Sequence, residues 1–220
     1  MRRRGLLALL GFWPFAASAQ RTIESVLQTT GNRARRLLET RFAQAGVAYP
    51  PKRIALLAIK DANRLELSAR QGQRWKHVHD YRVLAASGGP GPKLREGDLQ
   101  VPEGFYRIAW LNPNSKYHLS MKIDYPNTED RKHARLEGRD RPGGDIFIHG
   151  RAVSIGCLAI GDPAIEELFT LVATIGHDKV SVMIAPHDPR RAPLKAQAID
   201  PAWLQERYDR LTEAFSAFRR

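Results

Sequence analysis

Cysteine is the scarcest residue in this sequence, because the 220-residue chain contains only one, Cys157. A single cysteine cannot close an intramolecular disulfide, so the fold must be held together by its hydrophobic core. The sequence also lacks the C-x-x-C and H-x-x-x-H spacings that are typical of structural zinc sites. We therefore expect neither a metal site nor a bound cofactor.

Several other features are missing as well. The chain has no internal repeats and no low-complexity segments, and no segment after residue 19 is apolar enough to cross a bilayer. Lysine and arginine residues are not interleaved with aromatic residues as they are in nucleic-acid stacking platforms. We therefore expect one globular domain without a nucleic-acid partner.

Positive charge is what the chain has in excess. The 35 lysine and arginine residues outnumber the 23 acidic residues, which gives a formal net charge of +12. Such a charge draws a protein towards polyanions, such as anionic lipid surfaces and wall polymers, or it serves solubility alone. Composition leaves both interpretations open.

The start of the chain has the order of a secretory signal peptide. The basic run Arg2–Arg4 precedes the apolar stretch Leu6–Phe15, and Ala17-Ser18-Ala19 forms an A-x-A cleavage site. An uncleaved membrane anchor is the alternative, but the apolar run is short for a bilayer. We predict a signal peptide over residues 1–19, cleavage after Ala19, and an exported, periplasmic, soluble protein. Its formal charge falls to +9, because the segment carries three arginines and no acidic residue.

The hydrophobic pattern divides the rest of the chain into three parts. Residues 20–50 form an N-terminal helical segment, with one amphipathic helix predicted from Thr22 to Phe42. Residues 51–186 are mostly strand-like, and residues 187–220 form a C-terminal helical tail. The predicted fold class is therefore mainly β with flanking helices (α+β), built as a single β-rich domain with helices at both ends.

Local patterns refine this prediction. Residues 117–123 alternate apolar and polar side chains from Tyr117 onwards, which predicts a strand. A helix is predicted with Asp162 as its N-cap and Pro163 at its first position. The apolar stripe of the tail is expected to pack on its own domain. The members of this stripe are Leu204, Tyr208, Leu211, Phe215 and Phe218.

The unpaired Cys157 has two main interpretations. It is a small buried hydrophobic residue, or it is a nucleophile activated by an imidazole such as that of His149, eight residues earlier. A short loop can fold these two residues together, and main-chain amides around Gly156 can then bind an oxyanion. The residue types alone leave packing and catalysis evenly balanced.

Three motifs resemble a known family. Ile148-His149-Gly150 followed by Ser154-x-Gly156-Cys157 is similar to the active-site signature of the L,D-transpeptidase (YkuD-type) catalytic domain family. Residues 87–108 resemble the segment that precedes the active site in that family, and residues 123–131 resemble the Y-P-N…D-R stretch of its YafK-like branch. The resemblance covers residues 52–186 in order.

The resemblance implies a β-rich catalytic fold that acts on peptidoglycan stem peptides through a thioester acyl-enzyme, without a cofactor. Cys157 is then the nucleophile and His149 the general base. The amides of Gly156 and Cys157 form the oxyanion hole, and Ser154 and Gly150 belong to the active-site loop.

Further residues are candidates for positioning. Asp145, four residues before His149, is a candidate to orient the imidazole ring, and an ordinary solvent-exposed acid is the alternative. The candidates for substrate binding are Lys93, Arg95, Tyr125, Asn127 and Arg131. Each of the cations is otherwise an ordinary surface charge, and Tyr125 and Asn127 otherwise build the turn at Pro126.

Two departures from the family keep the reaction open. Ile155 occupies the position of a second histidine, and Ala159 that of an arginine, in many members. A cross-linking transferase in cell-wall biogenesis is therefore one expectation. A hydrolytic relative that trims stem peptides or releases murein-linked lipoprotein is the alternative, and a non-catalytic wall-binding module is a third hypothesis. The oligomeric state is not predicted.

Overall fold

The protein's structure, a computed structural model, describes residues 20–154 and 156–218. The predicted signal peptide and Ile155 lie outside these residues. The helices are α1 (Ile23–Thr29), α2 (Gly31–Gln44), α3 (Thr128–Leu136), α4 (Asp162–Ile175) and α5 (Leu204–Ser216). The strands are β1 (Ile54–Ile59), β2 (Arg64–Gln71), β3 (Arg74–Arg82), β4 (Gly104–Asn112), β5 (Ser120–Ile123), β6 (Phe147–His149), β7 (Leu158–Ala159) and β8 (Val180–Ala185).

Within the described residues, eight strands form one sheet in the order β3-β2-β1-β8-β4-β5-β6-β7. The pairs β1–β8 and β6–β7 are parallel, and the other pairs are antiparallel. The prediction of a mainly β fold with flanking helices is confirmed.

Strand β1 explains how helices cover both faces of this sheet. Its sequence IALLAI is apolar at every position, as expected for a strand with no solvent-exposed face. On one face, Leu56 and its neighbours pack in a core that includes Leu38 and Phe42 of α2 and Phe169 of α4. On the other face, Leu57 belongs to a second core formed with α5.

The C-terminal stripe packs as predicted. Leu204, Tyr208, Leu211, Phe215 and Phe218 are all buried in the second core, against the face of the sheet opposite α2 and α4. No helix in the described part of the chain is long and apolar enough to cross a membrane.

The N-terminal helical segment differs from the prediction of one continuous helix. Two helices meet at Thr30, whose hydroxyl donates a hydrogen bond to the Val26 carbonyl, 3.1 Å away. Gly31 follows, and glycine is a poor helix former. A side chain that bonds its own backbone, followed by glycine, accounts for the break. Both helices still bury the predicted apolar face, through Val26, Leu38 and Phe42.

The start of α4 also differs. Gly161 is the N-cap and Asp162 is already the first helical residue. The Asp162 carboxylate accepts a hydrogen bond from the backbone N–H of Arg151 at 2.7 Å instead of capping its own helix. Asp162 therefore ties α4 to the loop that follows β6.

Candidate active site

The parallel pair β6–β7 brings His149 and Cys157 to one place. His149 is the last residue of β6 and pairs with Ala159, while Cys157 directly precedes β7. Side chains two residues apart on a strand share a face, so Phe147 and His149 point to the same side of the sheet. His149 and Cys157 line one cavity on that side.

The loop that joins the two strands depends on glycine. A Cβ atom added at Gly150 would lie 2.5 Å from Asp162 Oδ1 and 2.7 Å from the Tyr117 carbonyl oxygen, closer than real contacts allow. Gly156 has φ +114°, a conformation that side-chain-bearing residues rarely adopt. The glycines at these two positions of the signature are therefore required by the backbone path.

His149 is held as a neutral base. Its Nδ1 lies 2.6 Å from the Gly150 carbonyl oxygen, and because a carbonyl can only accept, Nδ1 carries the proton and Nε2 has a free lone pair. The side chain is 1% exposed, and this burial lowers its pKa below the ordinary value of 6.5, partly offset by the bond to Gly150. The Tyr117 ring packs on the imidazole, with ring centroids 4.5 Å apart.

Cys157 is held as a thiol. Its Sγ lies 3.7 Å from the Asp145 carbonyl oxygen. Burial raises the pKa of the thiol above its ordinary value of 9.0. A hydrogen bond from the Phe147 backbone and the charge of Lys93 lower this pKa, whereas the charge of Asp145 raises it, and burial outweighs them. The resting cavity therefore contains a neutral thiol and a neutral imidazole.

The Ser154 hydroxyl is hydrogen-bonded to the Cys157 amide, one of the two amides predicted to form the oxyanion hole. The Cys157 N–H donates to Ser154 Oγ at 2.9 Å, and the same hydroxyl donates to the Cys157 carbonyl oxygen at 2.7 Å. In this structure the Cys157 amide is thus already bonded to the Ser154 hydroxyl.

The cavity around these residues has a volume of about 380 Å³. Lys93 contributes to its wall from the segment before β4, and Tyr117 and Phe147 contribute from the sheet side. Its other lining residues are Glu96, Gly97, Leu99, Gly143, Gly144, Asp145, Ile146, His149, Val153, Ser154 and Cys157.

The predicted substrate-binding cations lie in three different places. Lys93 lines the cavity, but its ammonium group is held by Asp98 at 2.5 Å and by the Arg95 carbonyl at 2.9 Å. Arg95 lies in an adjacent cavity of about 580 Å³, which shares Glu96 and Gly97 with the first. Arg131 lies away from both and donates to the Pro126 carbonyl.

Tyr125 and Asn127, the other two candidates for substrate binding, make structural hydrogen bonds in this arrangement. Tyr125 is buried, and its hydroxyl donates to the carbonyls of Lys93 and Pro142 at 3.2 and 3.0 Å. Asn127 caps α3, and its side-chain amide donates to the Phe105 carbonyl. Neither residue lines the cavity of Cys157, because both are committed to holding the loop before α3.

Asp145 does not orient His149, because its carboxylate pairs with Lys122 at 2.6 Å and is 81% exposed. Its φ of 56° turns the chain before β6 begins, so the four-residue spacing to His149 does not place the two side chains together. The Gly150 carbonyl performs that orienting role instead.

Sequence reasoning missed three residues at the site. Tyr117 was expected in a strand, but β5 begins only at Ser120, and His118 has φ 74°. Phe147 and Asp162 reach the site through cross-strand pairing and the loop connection. The signal that could have found Asp162 is its position directly after the Ile160-Gly161 pair, at the start of a helix that borders the active-site loop. Within the described residues, no group of three His, Cys, Asp or Glu side chains is arranged to hold a metal.

Comparison with known sequences agrees with the motifs. Residues 54–182 match the family model of the L,D-transpeptidase catalytic domain (YkuD). The chain is 37% identical over 133 residues to the Escherichia coli K12 protein named "Putative L,D-transpeptidase YafK". That match covers 58% of this chain and 52% of the relative, so the chain spans about half the length of the curated relative.

Comparison with solved structures supports the fold. The helical cell shape determining protein Pgp2 from Campylobacter jejuni superimposes with a TM-score of 0.51 at 18% identity, over 81% of this chain and 76% of Pgp2. Its K307A mutant gives a TM-score of 0.52 at 22% identity, over 77% and 56% of the two chains. The family match extends over more than half of the sequence and includes both His149 and Cys157. The chain therefore belongs to the L,D-transpeptidase catalytic domain family.

Proposed function

We propose that this protein is an exported cysteine enzyme that acts on peptidoglycan stem peptides through a thioester at Cys157. The observation that carries the proposal is the shared cavity of Cys157 and His149, in which the Gly150 carbonyl fixes the imidazole with Nε2 as its basic atom. Membership of the L,D-transpeptidase family supplies the substrate class.

The chemistry follows from the resting protonation states. As Cys157 Sγ attacks the amide carbonyl carbon next to the diamino acid, His149 Nε2 takes the thiol proton. Collapse of the tetrahedral intermediate breaks the C–N bond, and the imidazolium gives its proton to the leaving amine. An acceptor amine or water then attacks the thioester, which yields a new amide or a free acid and returns the proton to the thiol.

Oxyanion stabilisation requires a rearrangement of Ser154. Its hydroxyl occupies the Cys157 amide, so substrate binding must turn the hydroxyl away before the Gly156 and Cys157 amides face the developing charge. We propose transfer of the acyl group to an acceptor amine as the reaction. Hydrolysis, including release of murein-linked lipoprotein, is the alternative. Ala159 stands where many family members have an arginine, and it is buried. It therefore cannot hold a substrate carboxylate, and its presence does not distinguish transfer from hydrolysis.

Incubation of the chain from Gln20 with purified sacculi, followed by mass spectrometry, tests the proposal. New cross-links indicate transfer, whereas trimmed stem peptides or released lipoprotein fragments indicate hydrolysis. Cys157→Ala should abolish product formation, because no other group replaces the thiol. His149→Ala should lower the rate by about 10²–10⁴-fold, the usual contribution of a general base.

The matched control is His77→Ala. His77 lies on β3, at the opposite end of the sheet order from β6, and its ring pairs with Asp80 near the surface. This variant should retain the wild-type rate. The absence of product from the wild-type protein, or unchanged products from Cys157→Ala, would contradict the proposal that the protein is a cysteine enzyme. Either result would favour a wall-binding module.

A further inference from the structure

A row of side chains crosses the sheet and ends at Cys157. Trp110 of β4 pairs with Lys122 of β5, and Lys122 pairs with Phe147 of β6. The parallel register of β6 on β7 extends this row to Cys157, the residue that precedes β7. Residues paired across neighbouring strands share one face of a sheet. These four side chains therefore form a continuous line, which we call the Trp110 row.

The outer end of the Trp110 row is an exposed aromatic surface. Trp110 is 43% exposed and is the only exposed aromatic side chain among residues 20–154 and 156–218. Its ring meets Phe147 edge to face, with centroids 5.9 Å apart, and Phe147 in turn lines the cavity of Cys157. The aromatic surface is therefore continuous with the active-site cavity.

The charge of the row favours an uncharged ligand. Lys122 lies 5.8 Å from the Phe147 ring centroid, and its ammonium group pairs with Asp145 at 2.6 Å. The cation and the acid neutralise one another at the edge of the aromatic surface. Aromatic faces on rigid strands bind apolar faces of flat ligands, and the C–H face of a pyranose sugar has that character.

The length of the row fits the geometry of a peptidoglycan strand. Three interstrand spacings separate the backbones of β4 and β7, about 14 Å, which is an upper limit for the side chains because the Trp110 ring leans towards Phe147. In peptidoglycan, three residues separate the sugar from the carbonyl that precedes the L,D bond. Three extended residues span about 10–11 Å, and the lactyl ether between peptide and sugar supplies the remainder. A stem peptide whose reactive carbonyl is at Cys157 is therefore long enough for its sugar to reach Trp110.

We propose that Trp110, supported by Phe147, forms a sugar-binding subsite that stacks on the N-acetylated amino sugar carrying the stem peptide. This inference rests on the proposed function and adds the glycan to the substrate. It makes sugar-linked peptides better ligands than free peptides of the same sequence.

Calorimetric titration of the Cys157→Ala chain tests the subsite without turnover. The two ligands are a disaccharide-tetrapeptide purified from digested sacculi and the free tetrapeptide. We expect the sugar-linked ligand to bind more tightly, and Trp110→Ala to weaken its binding about threefold to tenfold. Binding of the free peptide should not change, and Trp110→Tyr should retain most of the affinity because it keeps an aromatic face.

Leu136→Ala is the matched control, since Leu136 is an apolar side chain with 74% exposure on α3 and should affect neither ligand. An equal loss for both ligands after Trp110→Ala would overturn the sugar assignment, as would no loss for either. Failure of the sugar-linked ligand to bind at all would also overturn it. Turnover of sacculi by the protein with Cys157 intact is measured separately, so a sugar subsite in an inactive protein contradicts only the proposed function.

Discussion

At the scale of single residues, burial sets the protonation states of Cys157 and His149. The same loss of solvation raises the pKa of the thiol and lowers the pKa of the imidazole, because each group becomes less able to hold a charge. In the mechanism that we propose, proton transfer between them therefore occurs during the reaction and not before substrate binds. The tautomer fixed by the Gly150 carbonyl makes Nε2 the atom that receives this proton.

These protonation states predict the pH dependence of kcat/KM. Imidazolium cannot accept the thiol proton, so activity should rise with pH through a midpoint below 6.5, the ordinary pKa of histidine. Activity should fall only above pH 9.0, where Cys157 loses its proton to solvent and the leaving amine loses its acid. Initial rates on a soluble muropeptide over about pH 5 to 10 provide the measurement.

Ultraviolet absorbance of the thiolate supplies the control, since the signal should appear only on the alkaline side. Cys157→Ala sets its baseline. An ascending limb centred above pH 6.5 would contradict the lowered pKa of His149. A thiolate signal at neutral pH would indicate a preformed ion pair instead of two neutral groups.

The sequence alone singles out the two residues that we propose to be reactive, whereas their surroundings were not predictable from it. His149, Gly150, Gly156 and Cys157 stand in one short signature, and the structure brings them to one loop. Side-chain directions nearby depend on positive φ angles of 74° at His118, 56° at Asp145 and 57° at Arg151. Strand alternation assumes an extended backbone, so it predicts the wrong face wherever a residue other than glycine turns the chain in this way.

At the scale of elements, α5 is tied to the segment that forms one wall of the active-site cavity. Tyr208 donates to Glu103 Oε2 at 2.6 Å, and the other carboxylate oxygen receives Lys60 Nζ at 2.7 Å and the Gly91 N–H at 3.0 Å. Glu103 is completely buried. A buried carboxylate is tolerated only when such partners replace water. This network therefore connects α5, the residue that follows β1, and the segment preceding β4.

Tyr208→Phe should therefore lower the free energy of unfolding by about 1–3 kcal/mol, because it leaves a buried carboxylate oxygen without its hydroxyl donor. The ring and its packing remain, so the loss reports the hydrogen bond rather than a cavity. Urea denaturation followed by circular dichroism gives the value.

The matched variant on the same helix is Glu206→Gln, which changes an exposed side chain and should alter stability by less than about 0.5 kcal/mol. Equal stability of Tyr208→Phe and the wild-type protein would show that water or another donor satisfies Glu103.

The packing of α5 was predictable because its five apolar residues recur at helical spacing. The hydrogen bond between α5 and Glu103 was not predictable, since Glu103 lies 105 residues before Tyr208 and no local pattern connects them. The break at Thr30 escaped prediction for a different reason, because the apolar periodicity continues through the junction of α1 and α2.

At the scale of the whole molecule, the two sheet faces account for the helical segments at both ends. Arg41 of α2 pairs with the buried Glu167 of α4 at 2.5 Å, and Tyr81 of β3 donates to the same carboxylate oxygen at 2.9 Å. These contacts hold the N-terminal helices against one face of the sheet, and α5 packs against the opposite face. The segment that precedes them is what we propose to be removed on export.

Export predicts a defined mature protein. The chain expressed with its first nineteen residues should be recovered from the periplasmic fraction with Gln20 as its first residue, because the A-x-A pattern ends at Ala19. Intact mass measurement after cell fractionation checks this. Ala17→Arg together with Ala19→Arg should block cleavage, while Ala16→Gly should not. Recovery of the full-length chain from the cytoplasm would contradict export.

The central strand pair imposes an order on folding. Ile54 of β1 pairs with Val180 of β8, 126 residues later, and β4 can join the sheet only through β8. During synthesis the β1–β2 hairpin can form early, but the other edge of β1 stays unpaired until Val180–Ala185 has been made. Contacts this distant in sequence form slowly. Until then the sheet cannot close, so the chain remains unfolded enough to pass through a translocation channel. The proposed export would require such a state.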